Sequence, residues 1–158
     1  LHINISLLQR GDQPVTQYFM AGILDHIREM TAFLNPSEAS YRRLGEKKAP
    51  RFVTWSPENR SQLIRIPAAQ GQYKRMELRS PDPGVNPYLA YALVIFAGLD
   101  GVKRKLLPPD PVNANLYTAG PEVTAALQVL PRTLAEAKQV AAESEFIRNT
   151  LPESLWKQ

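Results

Sequence analysis

Five consecutive residues, Arg75-Met76-Glu77-Leu78-Arg79, carry the densest chemistry in the chain. Read with a period of two, Arg75, Glu77 and Arg79 share one face of a strand, and Met76 and Leu78 take the other, where a core can cover them. The start of the chain repeats the pattern: His2, Asn4 and Ser6 alternate with Leu1, Ile3 and Ile5. Arg65 adds one charge in the same way to Leu63-Ile64-Arg65-Ile66. Plain solvent exposure would account for any one of these faces. Several such strands in one sheet, however, would present a histidine, a glutamate and several arginines on a shared polar surface. Imidazole and carboxylate are ligands for hard-to-borderline cations, and guanidinium forks grip phosphate and carboxylate. Together they suit a metal–nucleotide site in which cations neutralise phosphoryl oxygens. Neither GxxxxGK[ST] nor GxGxxG occurs, so side chains on a sheet would have to hold a nucleotide.

The elements that must position these residues follow from periodicity. Thr16 opens a helix whose apolar face is Phe19, Met20, Ile23, Leu24, Ile27, Met30, Phe33 and Leu34, and Asn35-Pro36 stops it. His26 lies beside that face and reads as a packing or surface residue. Residues 35–50 read as an irregular loop, and Phe52-Val53-Thr54-Trp55 as a short strand. Leu63–Ile66 and Met76–Arg79 read as an antiparallel pair joined through the Gly71 loop. Asn86-Pro87 is an N-cap followed by proline at the first helical position. The helix it opens is apolar almost all round and is expected to be buried, ending in the basic knot Lys103-Arg104-Lys105. Residues 108–121 read as a long surface excursion. Amphipathic helices are expected over 122–130 and 133–144, with a further turn over 145–151. The sum is an α+β chain with a small antiparallel sheet and packed helices.

The 158 residues suffice for one domain with its own core. The chain has no cysteine, which excludes thiol catalysis, disulfides and Cys-ligated zinc. Its longest uncharged apolar run, Leu89 to Leu99, is too short to span a bilayer, and no basic segment of signal-peptide type opens it. The net charge is +4 and the isoelectric point about 9.5, a balance that attracts nucleic acid or small phosphates. Nucleic-acid binding is disfavoured because no aromatic residues interleave with the arginines on the strand faces.

Longer motifs sharpen this reading. Asn59-Arg60-Ser61-Gln62-Leu63-Ile64-Arg65-Ile66-Pro67, Arg75 to Pro83, Asn86-Pro87-Tyr88-Leu89-Ala90 and Ala97-Gly98-Leu99-Asp100-Gly101 resemble the catalytic domain of bacterial type I glutamine synthetase. His2 to Leu7, Asn35-Pro36, Ser40-Tyr41-Arg42-Arg43-Leu44 and Asn115-Leu116-Tyr117 fit the same family in the same order, from residue 1 to about 155. The resemblance implies an ATP-dependent ligase that joins ammonia to glutamate through γ-glutamyl phosphate, with Mg2+ or Mn2+. It also implies a small sheet that is part of the family's catalytic half-barrel, stacked hexameric rings (a dodecamer) and a cytoplasmic setting, without nucleic-acid or membrane partners. Residues 1–158 would be the C-terminal portion of that catalytic domain. The chain opens without a methionine on what reads as the inside of a strand, which fits such a piece.

By the same resemblance His2 and Glu77 match metal ligands, and Arg43 and Arg79 the arginines that hold glutamate. Arg60 matches the arginine on the transferring phosphoryl group and nucleotide. Arg65 and Arg75 match nucleotide-phosphate contacts, beside Asn4, where a histidine is common. A lysine near the nucleotide falls at Gln72, and the usual Asn before Ser-Tyr is Ala39. The family's flap glutamate, which takes a proton from ammonium, falls at Lys48, with Glu46 as a possible substitute two residues away. Lys48 raises two other readings, a ligase for another amine and a non-catalytic ATP- or glutamate-binding relative. Tyr117 matches a tyrosine that some members adenylylate, but Thr118-Ala119-Gly120 lacks the acidic context of that subgroup, so a structural loop tyrosine is expected.

Overall fold

The computed structural model describes all residues except 9–12, 47, 70, 72, 73, 157 and 158. The position matched at Gln72 therefore lies outside the described residues. Four short strands, β1 (Ile3–Ile5), β2 (Trp55–Pro57), β3 (Ile64–Ile66) and β4 (Met76–Leu78), form one sheet in the order β1-β4-β3-β2. Two rungs of this sheet matter most. Ile3, Leu78 and Ile64 lie side by side and are all buried, whereas Asn4, Glu77 and Arg65 form the adjacent rung on the opposite face. Core and polar surface are thus alternate residues of the same strands.

The expected antiparallel pairing holds for β3–β4 and for β1–β4. The β2–β3 pair is parallel, so the sheet is mixed. The segment 52–55 also pairs differently from the expectation. Phe52 bridges Val129, the Val53 amide donates to the Gln128 carbonyl (2.8 Å), and the Leu130 amide to the Arg51 carbonyl (2.8 Å). The β-branched run finds its partner near the far end of the chain, and the sheet strand starts at Trp55.

Helix α1 (Val15–Leu34) buries Phe19, Met20, Ile23, Ile27, Met30 and Leu34 along one stripe, and the Asn35 amide closes on the Thr31 carbonyl before Pro36 ends the helix. The irregular loop expected after it contains a further helix, α2 (Glu38–Arg43). Ser37 restarts the chain there: its amide donates to the Ser40 hydroxyl (3.4 Å), and the two hydroxyls lie 3.0 Å apart. Helix α3 (Pro87–Arg104) begins as expected, with the Asn86 side chain accepting from the amides of Tyr88 (3.1 Å) and Leu89 (3.3 Å). Short α4 (Pro121–Thr124), α5 (Leu134–Glu143) and α6 (Glu145–Thr150) follow. The helix expected over 122–130 is confined to that single turn of α4, because 128–130 is drawn into pairing with 51–53.

The expected burial of α3 is half right. Its small residues Ala90, Ala97, Gly98 and Gly101 are buried with Leu93 and Val94, while Tyr88, Tyr91, Ile95, Phe96 and Leu99 are exposed. The small residues let α1 approach closely. A Cβ on Gly22 of α1 would fall 2.1 Å from the Ala97 carbonyl oxygen and 2.7 Å from the Gly101 nitrogen. Both neighbours are backbone and cannot swing away. Gly22→Ala should therefore lower stability by about 3 kcal/mol through overpacking, measured by urea denaturation. Gly71→Ala meets nothing within 4 Å and bears only its left-handed φ of 57°, so it should cost about 1 kcal/mol. Equal losses for the two would contradict the close helix contact.

Candidate functional site

Strand β4 carries the centre of the site. Met76 and Leu78 are 1% and 0% exposed, which fixes the strand and turns Glu77 to the polar face. Around the Glu77 carboxylate the structure gathers three of the expected residues. Arg79 Nη1 donates to Oε2 at 2.7 Å, Arg65 Nη1 to the same oxygen at 3.3 Å, and His2 Nδ1 lies 3.0 Å from Oε1. Burial pushes the Glu77 carboxyl up, but the hydrogen bonds and charges of Arg79, Arg65 and His2 outweigh it and hold it below the usual carboxylate range.

The arginines are braced by backbone carbonyls and a side-chain amide. Arg79 is buried and also donates Nε to the Arg60 carbonyl (3.1 Å). Arg65 Nε donates to the Glu58 carbonyl (2.8 Å). Arg75 Nε donates to Asn4 Oδ1 (3.2 Å) across the β1–β4 pair. Arg60 itself is exposed. Its carbonyl also accepts the Tyr117 hydroxyl (3.4 Å). Burial pushes the Tyr117 phenol up, with the Arg79 charge opposing. The loop of Arg60 is fastened to the surface excursion that holds Tyr117. Asn59 Nδ2 donates to the Asn113 carbonyl (2.8 Å), and the Leu116 amide to the Ser61 hydroxyl (2.9 Å).

A second group adjoins the first. Leu1, His2, Arg43, Lys48, Ala49 and Pro83 line an open cleft of about 360 Å³. Arg43 Nη2 donates to Asn35 Oδ1 (2.9 Å) and the Ser80 carbonyl (2.5 Å), and its Nε to Asp82 Oδ2 (3.3 Å). The sequence does not mark Asn35, Ser80 and Asp82 as partners of Arg43. Lys48 has a left-handed φ of 75°, and its carbonyl oxygen lies 3.3 Å from His2 Nε2. Its exposed ammonium is carried on a tight turn in which the Gly45 amide donates to the Ala49 carbonyl (2.7 Å). Arg51 supports that turn by donating to the Leu44 carbonyl (3.0 Å). Glu46 is exposed on the same turn and joins the Arg43 carbonyl through its backbone amide (3.1 Å).

His2 and Glu77 are one imidazole and one carboxylate, suitable donors for a divalent cation but too few to complete its coordination. A sheet face that concentrates arginines around such a pair has the chemistry to attract anions. The comparisons with known proteins agree with that class. A family model described as glutamine synthetase, catalytic domain, matches residues 1–158, and the chain belongs to that family. It is 40% identical to a glutamine synthetase of Methanosarcina mazei, covering 99% of this chain and 38% of that protein. A glutamine synthetase of Staphylococcus aureus is 39% identical, with 100% and 39% covered. A solved structure of GmaS in complex with ADP superposes with a TM-score of 0.77 at 29% identity, covering 92% of this chain and 35% of that one. The chain thus spans about two fifths of the length of the relatives it matches.

Removing the charge of Glu77 tests the ion-pair cluster. Glu77→Gln leaves the buried Arg79 without its carboxylate and should cost about 3 kcal/mol. Because the Glu77 carboxyl is held low in the fold, its contribution is present above the unfolded value and lost as pH falls through the folded one. Urea midpoints measured toward acid pH should therefore fall less steeply in Glu77→Gln than in the unaltered chain. An unchanged acid slope would sink this account.

Proposed function

We propose that the chain supplies the glutamate- and phosphate-gripping half of a glutamine synthetase active site, in a protein that ligates ammonia to L-glutamate through γ-glutamyl phosphate at the expense of ATP. The observation that carries this reading is the polar rung Asn4–Glu77–Arg65, flanked by His2 and Arg79. His2 and Glu77 would hold Mg2+ or Mn2+, with the remaining ligands coming from elsewhere in the protein. A divalent cation bound there neutralises phosphoryl oxygens.

The chain's own residues have separable tasks. Arg43 and Arg79 grip the carboxylates of glutamate with planar forks. Both are braced by neighbouring acceptors, so little side-chain freedom is lost on binding. Arg65, Arg75 and Asn4 hold the nucleotide phosphates from the sheet face. Arg60, exposed at the rim, neutralises charge on the phosphoryl group as it transfers. Tyr117 braces the Arg60 loop through its hydroxyl, and that structural role is favoured over modification. Lys48 stands where the family carries the glutamate that takes a proton from ammonium. A lysine ammonium cannot accept that proton, so the base must be a different group, and Glu46 on the same turn is the nearest carboxylate in sequence. The family names favour ammonia as the nucleophile over another amine and an enzyme over a non-catalytic relative. Assembly into stacked hexameric rings in the cytoplasm belongs to the same proposal. Among the described residues no helix is long and apolar enough to cross a membrane.

The test is a glutamine-formation assay on a protein in which this chain is joined to the remaining length that its relatives carry. Arg60→Ala there should lower kcat by about 10²–10³-fold, the usual cost of losing a preorganised charge at the reacting group, with a much smaller change in KM for glutamate. The 158-residue chain alone should form no glutamine. Glutamine formation by the isolated chain, or a full rate in Arg60→Ala, would overturn the assignment.

A further inference from the structure

Away from the sheet, titratable side chains gather once more, where α1, α3 and α6 meet. His26 is 9% exposed, and both of its ring nitrogens face carboxylates. Nδ1 lies 3.0 Å from Glu29 Oε2 and Nε2 lies 2.8 Å from Asp100 Oδ2. A neutral imidazole has one N–H and one lone pair, so it satisfies one carboxylate and turns its lone pair on the other. Only the imidazolium donates to both.

The same cluster holds α6. Glu29 Oε2 also accepts the Ser144 hydroxyl (2.8 Å), and the Ser144 oxygen caps α6 by accepting from the Ile147 amide (3.0 Å). Phe146, in the first turn of α6, stacks on the His26 ring with centroids 4.0 Å apart and planes at 17°. Helix α6 has six residues, too few to be stable without such support. A cavity of about 580 Å³ lies at the junction, walled by Phe96, Leu99 and Lys103 of α3 and by Phe146, Asn149 and Thr150 of α6.

We propose that His26 is a proton-operated latch: as imidazolium it fastens α6 to the α1–α3 pair, and loss of that proton releases α6 from the cavity wall. The surrounding charges favour this. Asp25 and Glu29 of α1, Asp100 of α3 and Glu145 of α6 are acidic, against Arg104 and Lys103 of α3. From α5, Glu136 faces Arg28 of α1 at 3.8 Å. The carboxylates outnumber these cations, and a neutral His26 enlarges that negative excess. Asp25, His26 and Asp100 place their polar atoms within 4.8 Å of one another. Arg104 Nη1 lies 2.8 Å from both carboxylates, so ion pairing already satisfies the group without a metal. Burial lowers the His26 pKa, but the bonds to Glu29 and Asp100 outweigh it and raise the pKa above the ordinary histidine value. The sign follows: the contribution of a group raised in the fold is complete below its unfolded value and is lost as pH rises through the folded one.

Hydrogen exchange, corrected for intrinsic pH dependence, reads the latch directly. Protection of the Ile147, Arg148 and Leu151 amides should fall by about tenfold as pH rises from about 6 to about 9, while amides at the centre of α1 hold theirs. His26→Gln should abolish the step and leave α6 weakly protected throughout. The chain has two histidines, so the same variant assigns the His26 ring resonance by its disappearance. That resonance should titrate above about 6.5. Should His26→Gln fail to fold, Glu29→Gln keeps the imidazole and must move the midpoint to lower pH. Protection independent of pH, a step that persists in His26→Gln, a ring titrating below the ordinary value, or an unmoved midpoint in Glu29→Gln would each overturn the latch.

Discussion

Everything at the sheet turns on the Glu77 carboxylate and on the two residues that flank it in sequence. Met76 and Leu78 are driven into the core by the hydrophobic effect, each burial worth about 1.5–3 kcal/mol. With a period of two they leave Glu77 no choice of face. A register shift of one residue would bury its charge and expose both apolar neighbours. The packing energy of the core therefore also enforces the geometry of the site. Once placed, the carboxylate draws in Arg79 from two residues along its own segment, and Arg65 and His2 from elsewhere in the sequence. Arg79 tolerates burial only because that partner is there. Core, register and ion-pair cluster stand or fall together.

The helical layer is held by a different constraint. Gly22 and Gly101 bring the backbones of α1 and α3 to a distance that no side chain permits. Their approach spreads the buried contact over small residues of α3, and this pushes its large ones, Tyr88, Tyr91, Ile95 and Leu99, outward. It also sets Asp100 against His26, and Asp25 near Arg104, across the helix pair. The glycines are thus the reason a buried histidine has two carboxylates within reach, and α6 docks on the result.

Much of this was legible in residue order. Alternation in 1–6 and 75–79 placed Glu77, Asn4 and Arg75 on a shared face, and Asn86-Pro87 located the start of α3 correctly. What failed was what depends on long-range partners. The run 52–55 looked like one sheet strand, yet Phe52 and Val53 pair with 128–130 and only Trp55 belongs to the sheet. The parallel β2–β3 arrangement has no local signature. Helix α2 was hidden because Asn35-Pro36 signals a stop and Ser37 restarts the chain immediately. An apolar helix such as α3 shows no preferred face by periodicity, so its exposed side could not be seen. His26 read as a lone histidine because Asp100 lies 74 positions away. In the site, i and i+2 neighbours such as Glu77 and Arg79 were readable, whereas the anchoring of Arg43 by Asn35, Ser80 and Asp82 needed the fold.

The electrostatics of the polar face explain how a basic surface can be stable and still be ready for anions. Arg65, Arg79 and His2 share the single carboxylate of Glu77. One further carboxylate, Asp82, pairs with Arg43, and much of the remaining support for the arginines comes from neutral groups: the carbonyls of Glu58, Arg60 and Ser80 and the Asn4 and Asn35 amide oxygens. Carbonyl and amide oxygens satisfy N–H donors without cancelling charge. The side chains are therefore fixed in position while a positive excess persists over the sheet. A phosphate or carboxylate arriving there meets preorganised donors whose orientation has been set by folding, so the interaction strengthens where negative charge concentrates. Had the arginines been matched one for one with aspartate or glutamate, the fold would have been as well supported, but an anion would have had to displace a carboxylate to enter.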